Sequence, residues 1–500
     1  MTMQNAALPD AIRAHEADDV AVAMRALARG ERITIGSANM VLVSDIPAGH
    51  KFALHPLESG ADVKRYGAVI GRMTAAASAG EHVHSHNLVT ALVGEVAYTE
   101  VRSEMRATAP HFLPTWQGYR REDGRWATRN EIWLLPTVGC VAPLVEDIAR
   151  EARDLHAGRV DDIVGFGHPH GCSQLGDDLA GTRAALAGLC DNPNAGGVVL
   201  IGLGCESNQL DELVALIPAR SRKKLRIMRA QEPGDERESA LQLVAELVEQ
   251  LAPMAREEAP ASALTVGLKC GGSDALSGLT ANPLLGRFTD QLTASGGKAV
   301  LTEIPEIFGA ERALFGRAVS REVFDAAGAL LNRFKRYFLD QGQPVSENPS
   351  PGNIAGGITT LEEKSLGAVQ KGGSAPLVDV IDYGEAAELP GLTLLEAPGN
   401  DAVSSTALVA AGATLVLFTT GRGTPLGFPV PTIKVSSNSQ LAGSKSGWID
   451  FDAGRVLAEG AEAVSDDFAR KLLAIASGER TAAERSGQRV ISLWKRGVTL

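Results

Sequence analysis

Short apolar runs that end in glycine turns constrain the fold of this chain more than any other feature. They recur after residue 119, at 132–140, 163–167, 198–205 and 264–270, with helical periodicity between them. Continuous apolar runs are typical of strands that are buried on both faces of a parallel sheet, and the intervening helices serve as crossovers. The sequence therefore predicts an α/β region with mostly parallel sheets flanked by helices.

The first hundred residues follow a different pattern. Short strand-like segments such as 32–35 alternate with turn signals such as 47–49, which indicates an all-β domain. A polar stretch with Pro110 and Pro114 follows, and it is typical of a linker. We therefore predict a β domain at 1–105, a linker at 106–118, and an α/β catalytic region in two parts at 119–260 and 261–500.

The composition narrows the class of partner. A net charge of -12 opposes binding to nucleic acid or to an anionic membrane surface. No stretch approaches the roughly 18 apolar residues of a membrane span, and the start of the chain lacks the apolar region of a signal peptide. We expect a cytoplasmic protein with no nucleic-acid or membrane partner, and the sequence is compatible with a homo-oligomer.

Four of the five cysteines stand at or shortly after the ends of the apolar runs: Cys140, Cys172, Cys205 and Cys270. Because the carboxyl ends of parallel strands meet at one edge of a sheet, we expect these thiols to converge there. This pattern is compatible with three roles for the cysteines: metal ligand, thiolate base, or small packing residue. The spacings are too long for a ferredoxin-like ligand run, so an iron–sulfur cluster is the minority hypothesis.

The histidines are unevenly distributed, since five of the ten lie in tracts at 82–86 and 168–170. The alternation of His82, His84 and His86 predicts three imidazoles on one face of a strand, with neighbours roughly 7 Å apart. Two of them could bind one metal ion. A polar edge strand with no ligand is the alternative.

Glycine-rich tracts supply candidates for binding a carboxylate or phosphate. They contain Ser273, Asp274, Asn353, Arg422 and Thr424, and such loops expose backbone N–H groups. The guanidinium of Arg422 can hold a carboxylate at two points, although a surface arginine in a turn has the same sequence pattern. No tract has the spacing of a P-loop or of a dinucleotide fingerprint.

These motifs together resemble the altronate/galactarate dehydratase family from about residue 20 to 500. The motifs that carry the resemblance lie at 49–54, 80–84, 130–140, 171–178, 201–206, 270–274, 347–353, 420–425 and 497–500. The resemblance implies an N-terminal SAF (β-clip) domain, an α/β catalytic region, and dehydration of a small anionic sugar acid with Fe²⁺ or Mn²⁺. The intact histidine run favours the altronate branch, whereas His170 stands where altronate dehydratases have a tyrosine and leaves fine substrate preference open.

The implied reaction converts D-altronate to 2-dehydro-3-deoxy-D-gluconate and water, with galactarate as the alternative substrate. Glu206 and Glu303 follow predicted buried strands, which makes each a candidate ligand or base. The residues assigned to the site are Cys172, Glu206 and Glu303 for catalysis, Ser273, Asp274, Asn353, Arg422 and Thr424 for substrate, and His82, His84, His86 and Cys205 for metal.

Two alternative hypotheses assign other functions to the same motifs. The β domain could be a ligand-binding or assembly module, with its histidines at a subunit interface. Alternatively, Cys172 could act as the nucleophile in hydrolysis of a sugar lactone.

Overall fold

The computed structural model describes residues 9–36, 38–92, 94–99 and 112–500. Within these residues an all-β N-terminal domain precedes two α/β units, each built on a parallel sheet. The predicted fold class is confirmed. The positions of the domain boundaries stay a prediction.

The N-terminal domain contains short antiparallel strands. They are β1 (Ala11–Ile12), β2 (Val20–Ala23), β3 (Arg32–Ile35), β4 (Ala38–Val41), β5 (Lys51–Ala53), β6 (Asp62–Arg65), β7 (Ala68–Met73), β8 (His82–Val83) and β9 (Leu88–Val89). Their sheets have the orders β1-β2-β5-β8, β3-β4 and β6-β7-β9. Glycine turns with positive φ, such as Gly49 and Gly80, separate the strands and keep them short.

The first α/β unit is built on a parallel sheet of order β13-β12-β14-β15. Its strands and those of a small antiparallel sheet are β10 (Trp116–Arg120), β11 (Trp126–Ala127), β12 (Glu131–Pro136), β13 (Asp162–Gly165), β14 (Ala195–Gly202), β15 (Leu225–Arg229) and β16 (Glu257–Ala259). Its helices are α1 (Ala142–Leu155), α2 (Gly176–Asp191), α3 (Leu210–Leu216) and α4 (Glu236–Leu251). Residues 106–111 of the predicted linker lie outside the described residues, and residues 116–118 form part of β10, which pairs with β16.

The second α/β unit has a parallel sheet of order β19-β20-β18-β17-β21-β22-β23. Its strands are β17 (Thr265–Cys270), β18 (Lys298–Leu301), β19 (Leu377–Ile381), β20 (Gly391–Leu395), β21 (Leu415–Thr420), β22 (Thr432–Ser436) and β23 (Phe451–Asp452). Its helices are α5 (Ala281–Ala294), α6 (Glu311–Phe315), α7 (Arg321–Asp340), α8 (Pro351–Ala355), α9 (Leu361–Ala368), α10 (Asp401–Ala410), α11 (Ser439–Ser444), α12 (Val456–Glu459), α13 (Ala461–Ala476) and α14 (Ala482–Ser486). No helix in the described part of the chain combines the length and the apolar character needed to cross a membrane.

The continuous apolar runs form the central strands, as their pattern predicts. Every residue of β12 and of β17 is buried, because helices cover both faces of each sheet. The expected convergence of four cysteines on one edge is wrong, since the runs belong to two sheets. Cys270 ends β17, whereas Cys140, Cys172 and Cys205 follow strands of the smaller sheet.

Buried ion pairs fix the N-terminal domain against the second α/β unit. Glu363 in α9 accepts a hydrogen bond from Lys51 Nζ at 2.9 Å and another from Arg65. Lys51 also donates to the carbonyl of Gly357 at 2.7 Å. All three charged side chains are buried. The junction therefore holds the histidine tract of the first domain next to the loops of the last.

Candidate functional site

A cluster of four histidines lies at the domain junction. The expectation of three imidazoles on one strand face is wrong, because β8 ends at Val83 and the chain turns over residues 84–87. The Asn87 side chain closes this turn by accepting from the His84 N–H at 2.9 Å and donating to the His82 carbonyl at 3.0 Å. The turn, and not strand alternation, brings the rings together.

His50, from the turn before β5, joins the three histidines of the tract. Its Nδ1 lies 3.0 Å from His82 Nε2, and its ring centroid lies 4.4 Å from that of His84. The ring centroids of His82 and His86 are 5.2 Å apart. Sequence reasoning missed His50 as a site residue, although the motif at 49–54 was the available signal.

Burial keeps the central imidazoles neutral. It is the main cause that lowers the pKa of His82 to about 4, with a further contribution from the neighbouring histidines. Burial and the charge of Lys51 lower the pKa of His84 to about 4 as well. A neutral imidazole has a free nitrogen lone pair and can bind a metal ion or accept a proton.

Cys205, the fourth predicted metal ligand, lies in the first α/β unit, whereas the histidines belong to the N-terminal domain. It follows β14, and its thiol accepts from Gln231 Nε2 at 3.7 Å. Across the described ranges, the group of three ligand atoms lying within 4.8 Å of one another is formed by Cys270, Glu303 and Glu306. The predicted histidine and cysteine set is thus split between two places in the fold.

A cleft of about 660 Å³ adjoins the histidine cluster. Gly49 and Ala355 line the side of the cleft next to the histidines, and Asp274, Arg422 and Asn438 line the side formed by the second α/β unit. The latter three follow β17, β21 and β22, so they lie at the carboxyl edge of the seven-stranded sheet. Ligands of open α/β sheets bind at this edge.

The cleft residues differ in how firmly they are held. The Asp274 carboxylate accepts from the Ser277 N–H at 2.9 Å, from Ser437 Oγ at 2.8 Å and from Asn438 Nδ2 at 3.1 Å, so it ties two loops together. Arg422 is exposed, and among the residues that the structure describes no carboxylate forms an ion pair with it. Arg422 is therefore the cleft cation available to an anionic ligand.

Ser273, Asn353 and Thr424 have mainly structural contacts. Asn353 is buried and donates to the carbonyl of Ser273 at 2.9 Å, while its side-chain oxygen accepts from Lys364 Nζ at 3.2 Å. Thr424 Oγ1 accepts from the Leu426 N–H at 3.2 Å. Asn353 consequently connects the loop after β17 to a cluster of buried charges.

That cluster contains two glutamates and three lysines at the carboxyl ends of β17 and β18. They are Lys269, Glu303, Glu306, Lys364 and Lys371. Glu303 pairs with Lys269 and, at 3.2 Å, with Lys371. Glu306 pairs with Lys364 at 2.8 Å. Sequence reasoning identified Glu303 and considered Lys364 and Lys371 as basic residues, but it did not pair them, since burial of lysines is not visible in a sequence.

Cys270 completes this cluster. Its thiol lies 2.8 Å from a carboxylate oxygen of Glu306, and its N–H donates to Glu303 at 2.8 Å. Burial and the charges of the two glutamates raise the pKa of the Cys270 thiol, so the sulfur stays protonated. Burial raises the pKa of Glu306, but the surrounding lysines outweigh it and lower that pKa. Three ammonium groups beside the acids disfavour a cation here.

The remaining predicted residues, Cys172 and Glu206, lie at the carboxyl edge of the four-stranded sheet. Cys172 is exposed. Glu206 is buried and accepts from Thr137 Oγ1 at 2.5 Å and from the Gly204 N–H at 2.6 Å. These hydrogen bonds outweigh the effect of burial and lower the pKa of Glu206. The predicted catalytic residues therefore lie at two sheet edges, because Glu303 lies at the carboxyl edge of the seven-stranded sheet.

Comparisons with known proteins cover the whole described fold. The sequence model of the D-galactarate/altronate dehydratase C-terminal domain matches residues 261–499, that of the second domain of D-galactarate dehydratase/altronate hydrolase matches 118–255, and that of the altronate/galactarate dehydratase SAF domain matches 9–91. The chain belongs to the D-galactarate/altronate dehydratase family. This confirms the resemblance predicted from the motifs, and a dehydratase is a hydro-lyase.

Individual relatives in this dehydratase family align over nearly their whole length. The altronate dehydratase of Bacillus subtilis is 44% identical, and the alignment covers 98% of this chain and 99% of the relative. The altronate dehydratase of Escherichia coli has the same identity and the same coverage. The galactarate dehydratase (L-threo-forming) of E. coli is 34% identical over 94% of this chain and 93% of its own length.

One glycine of this dehydratase fold offers a direct test of the loop packing at Cys172. Gly171 has a φ of 101°, and a Cβ there would collide with the carbonyl oxygen of Thr137. We expect Gly171→Ala to lower the free energy of unfolding by about 3 kcal/mol, since backbone strain and a steric clash combine. Chemical denaturation measures this loss.

The matched control for that variant is Gly158→Ala. Gly158 has a φ of 77°, but in the described part of the chain a Cβ at this position would meet no atom within 4 Å. Only the cost of the left-handed conformation, about 1 kcal/mol, should appear there. Equal losses in the two variants would contradict the close packing of the Cys172 loop.

Proposed function

We propose that this chain dehydrates D-altronate to 2-dehydro-3-deoxy-D-gluconate with Fe²⁺ or Mn²⁺ bound by the histidine cluster. The observation that carries the proposal is the cleft between the cluster and Arg422. The exposed Arg422 lines this cleft, and so does Gly49, the residue before His50; among the described residues no histidine lines the cleft itself. The two altronate dehydratases at 44% identity support this substrate over galactarate, whose dehydratase is 34% identical.

The residues fit such a metal ion, because imidazole nitrogen is a ligand that iron accepts. His50 Nδ1 and His82 Nε2, which lie 3.0 Å apart, would hold it, with His84 and His86 beside them. Among the described residues, no three of these imidazoles bring their ligand atoms within 4.8 Å of one another. A bound divalent ion supplies Lewis acidity, which stabilises the negative charge that develops when a proton leaves the carbon beside a carboxylate. His84 lies outside this pair, and its lowered pKa keeps it neutral, so it can accept this proton.

Arg422 contributes positive charge to the cleft, whereas the three buried lysines are paired with carboxylates outside its lining. Arg422 would hold the substrate carboxylate at the exposed end of the cleft. Burial lowers the pKa of Lys364 and of Lys371, but Glu306 outweighs it and raises the pKa of Lys364, and Cys270, Glu303 and Glu306 outweigh it and raise the pKa of Lys371. These lysines therefore stay protonated, and they serve as fixed cations and not as bases. Glu303, with both oxygens occupied, keeps that arrangement in place.

Anaerobic turnover tests the proposal directly. The protein is incubated with D-altronate or galactarate in the presence of Fe²⁺, Mn²⁺ or a chelator, and the 2-keto product is detected. We expect product from D-altronate only when a metal ion is supplied. Turnover of galactarate in preference to altronate, or full activity with chelator, would overturn the assignment.

The role of Arg422 gives a separate prediction. Arg422→Met should raise KM for D-altronate by about 10- to 100-fold, because a charge-assisted hydrogen bond to the carboxylate is lost. Arg422→Lys should recover part of this loss, since the charge is kept but two-point binding is not. Arg150→Met, at an exposed arginine paired with Asp147, is the matched control. An unchanged KM in Arg422→Met would remove this residue from the substrate site.

A further inference from the structure

Three exposed cysteines follow adjacent strands of the four-stranded sheet. Cys140 comes after β12, Cys172 after β13 and Cys205 after β14, and these strands are neighbours in the order β13-β12-β14. Neighbouring strands lie about 4.8 Å apart. The three loops therefore leave the same edge of the sheet side by side.

Hydrogen bonds join the loops into one unit. The Gly139 N–H donates to the carbonyl of His170 at 2.8 Å. The Asn208 N–H donates to the carbonyl of Gly171 at 2.9 Å, and the Asn208 side chain donates to the carbonyl of Thr137 at 2.9 Å. Asn208 is fully buried. Backbone and side-chain hydrogen bonds thus connect the loop of each cysteine to the loop of another.

A glycine precedes each of these cysteines, and at each glycine an added Cβ would be too close to a neighbouring residue. A Cβ at Gly139 would lie 3.0 Å from Pro169, one at Gly171 would collide with Thr137, and one at Gly204 would lie 2.6 Å from the side-chain oxygen of Gln231. Loops that carried larger residues could not approach one another so closely. Gly139 and Gly171 therefore let the loops of Cys140 and Cys172 pack against each other, whereas Gly204 packs against Gln231.

We infer that Cys140, Cys172 and Cys205 are the protein ligands of an iron–sulfur cluster. Packing does not explain these thiols, because they are exposed, whereas the buried Cys190 in α2 is a packing residue. Thiolates are the ligands that iron–sulfur clusters use. The long sequence spacings that disfavour a ferredoxin-like run do not matter once the fold has brought the three loops to one edge.

The arrangement of the thiols does not fit a single ion. One tetrahedral ion with sulfur ligands at about 2.3 Å needs sulfur atoms roughly 3.8 Å apart. Over the residues that the structure describes, these cysteines do not form a group of ligand atoms within 4.8 Å of one another. A cluster binds each cysteine through a different iron, so it requires a wider triangle of sulfurs.

Three cysteines leave one iron of a four-iron cluster without a cysteine ligand. Such an iron is open to the hydroxyl or carboxylate oxygen of a hydroxy acid. The inference does not depend on the proposed reaction, since the cluster can be detected without substrate. If the turnover assay fails, the cluster measurement still stands on its own.

The full-length protein, reconstituted anaerobically with ferrous iron and sulfide, tests this inference. Iron and acid-labile sulfide are counted per chain, and the visible absorption and the electron paramagnetic resonance spectrum after reduction are recorded. We expect about four sulfide and four cluster iron per chain, with about one further iron if the histidine cluster also binds Fe²⁺. Cys140→Ala, Cys172→Ala, Cys205→Ala and the triple variant should each lose the cluster signals.

Cys190→Ala is the matched control and should keep the cluster. Circular dichroism and thermal melting verify that the variants are folded, which the exposed position of the three cysteines favours. Iron bound without sulfide in the wild-type protein would overturn the inference. Cluster signals of undiminished intensity in the triple variant would overturn it as well.

Discussion

Replacing His82 with alanine is expected to lower metal-stimulated turnover of D-altronate at least about 100-fold, since a ligand of the proposed metal ion is removed. The ring of His82 lies within 5.4 Å of the rings of His50, His84 and His86, measured between centroids, so it is the common member of the cluster. Binding of Fe²⁺ or Mn²⁺, measured by equilibrium dialysis, should weaken in parallel with turnover.

The control for this variant is His55→Ala. His55 belongs to the same domain but is exposed, and its Nε2 lies 2.9 Å from the Asp19 carboxylate. Its loss should leave turnover unchanged. Full activity of His82→Ala at saturating metal would show that the cluster is not the metal site.

The second large effect is on stability. Glu363→Gln is expected to lower the free energy of unfolding by about 3–5 kcal/mol, because Lys51 and Arg65 would stay buried without their counter-charge. The loss should be visible in chemical denaturation and as a lower Tm. Glu249→Gln removes an exposed pair with Arg159, and it should be indistinguishable from the wild-type protein.

This ion pair also predicts a pH dependence. Burial raises the pKa of Glu363, but Lys51 and Arg65 outweigh it and lower the pKa to about 2, against an ordinary value of 4.5. A depressed folded-state pKa stabilises the protein above the unfolded-state value, and that stability is lost as the pH falls. The difference in stability between wild type and Glu363→Gln should therefore shrink between pH 4.5 and about 2. A constant difference over this window would contradict the role of the charge.

Periodicity and motif content were sufficient to predict the fold class. The buried runs became β12, β14 and β17, because a strand covered on both faces needs apolar residues at every position. The loops after these strands were recognisable as site candidates for the same reason. Asp274 and Arg422 lie in one cleft, as the rule for the carboxyl ends of parallel strands predicts.

The partners of these residues could not be predicted from the sequence. His50 joins the histidine tract because β5 pairs with β8, and the strand patterns do not specify this pairing. Cys270 lies at the edge of a different sheet from the other three cysteines, and strand patterns do not specify how many sheets the strands form. Pairing of Lys371 with Glu303 depends on tertiary contacts 68 residues apart.

The junction at Glu363 also affects how exposed the histidine site is during synthesis. Lys51 and Glu363 are separated by 312 positions, and the N-terminal domain leaves the ribosome long before its counter-charge has been made. Until then, a small domain carries a lysine and an arginine that will be buried only on docking. We expect the histidines to be more exposed to solvent throughout that interval, because the contact of His84 with the Ile354 carbonyl and the cleft beside the cluster need the last domain.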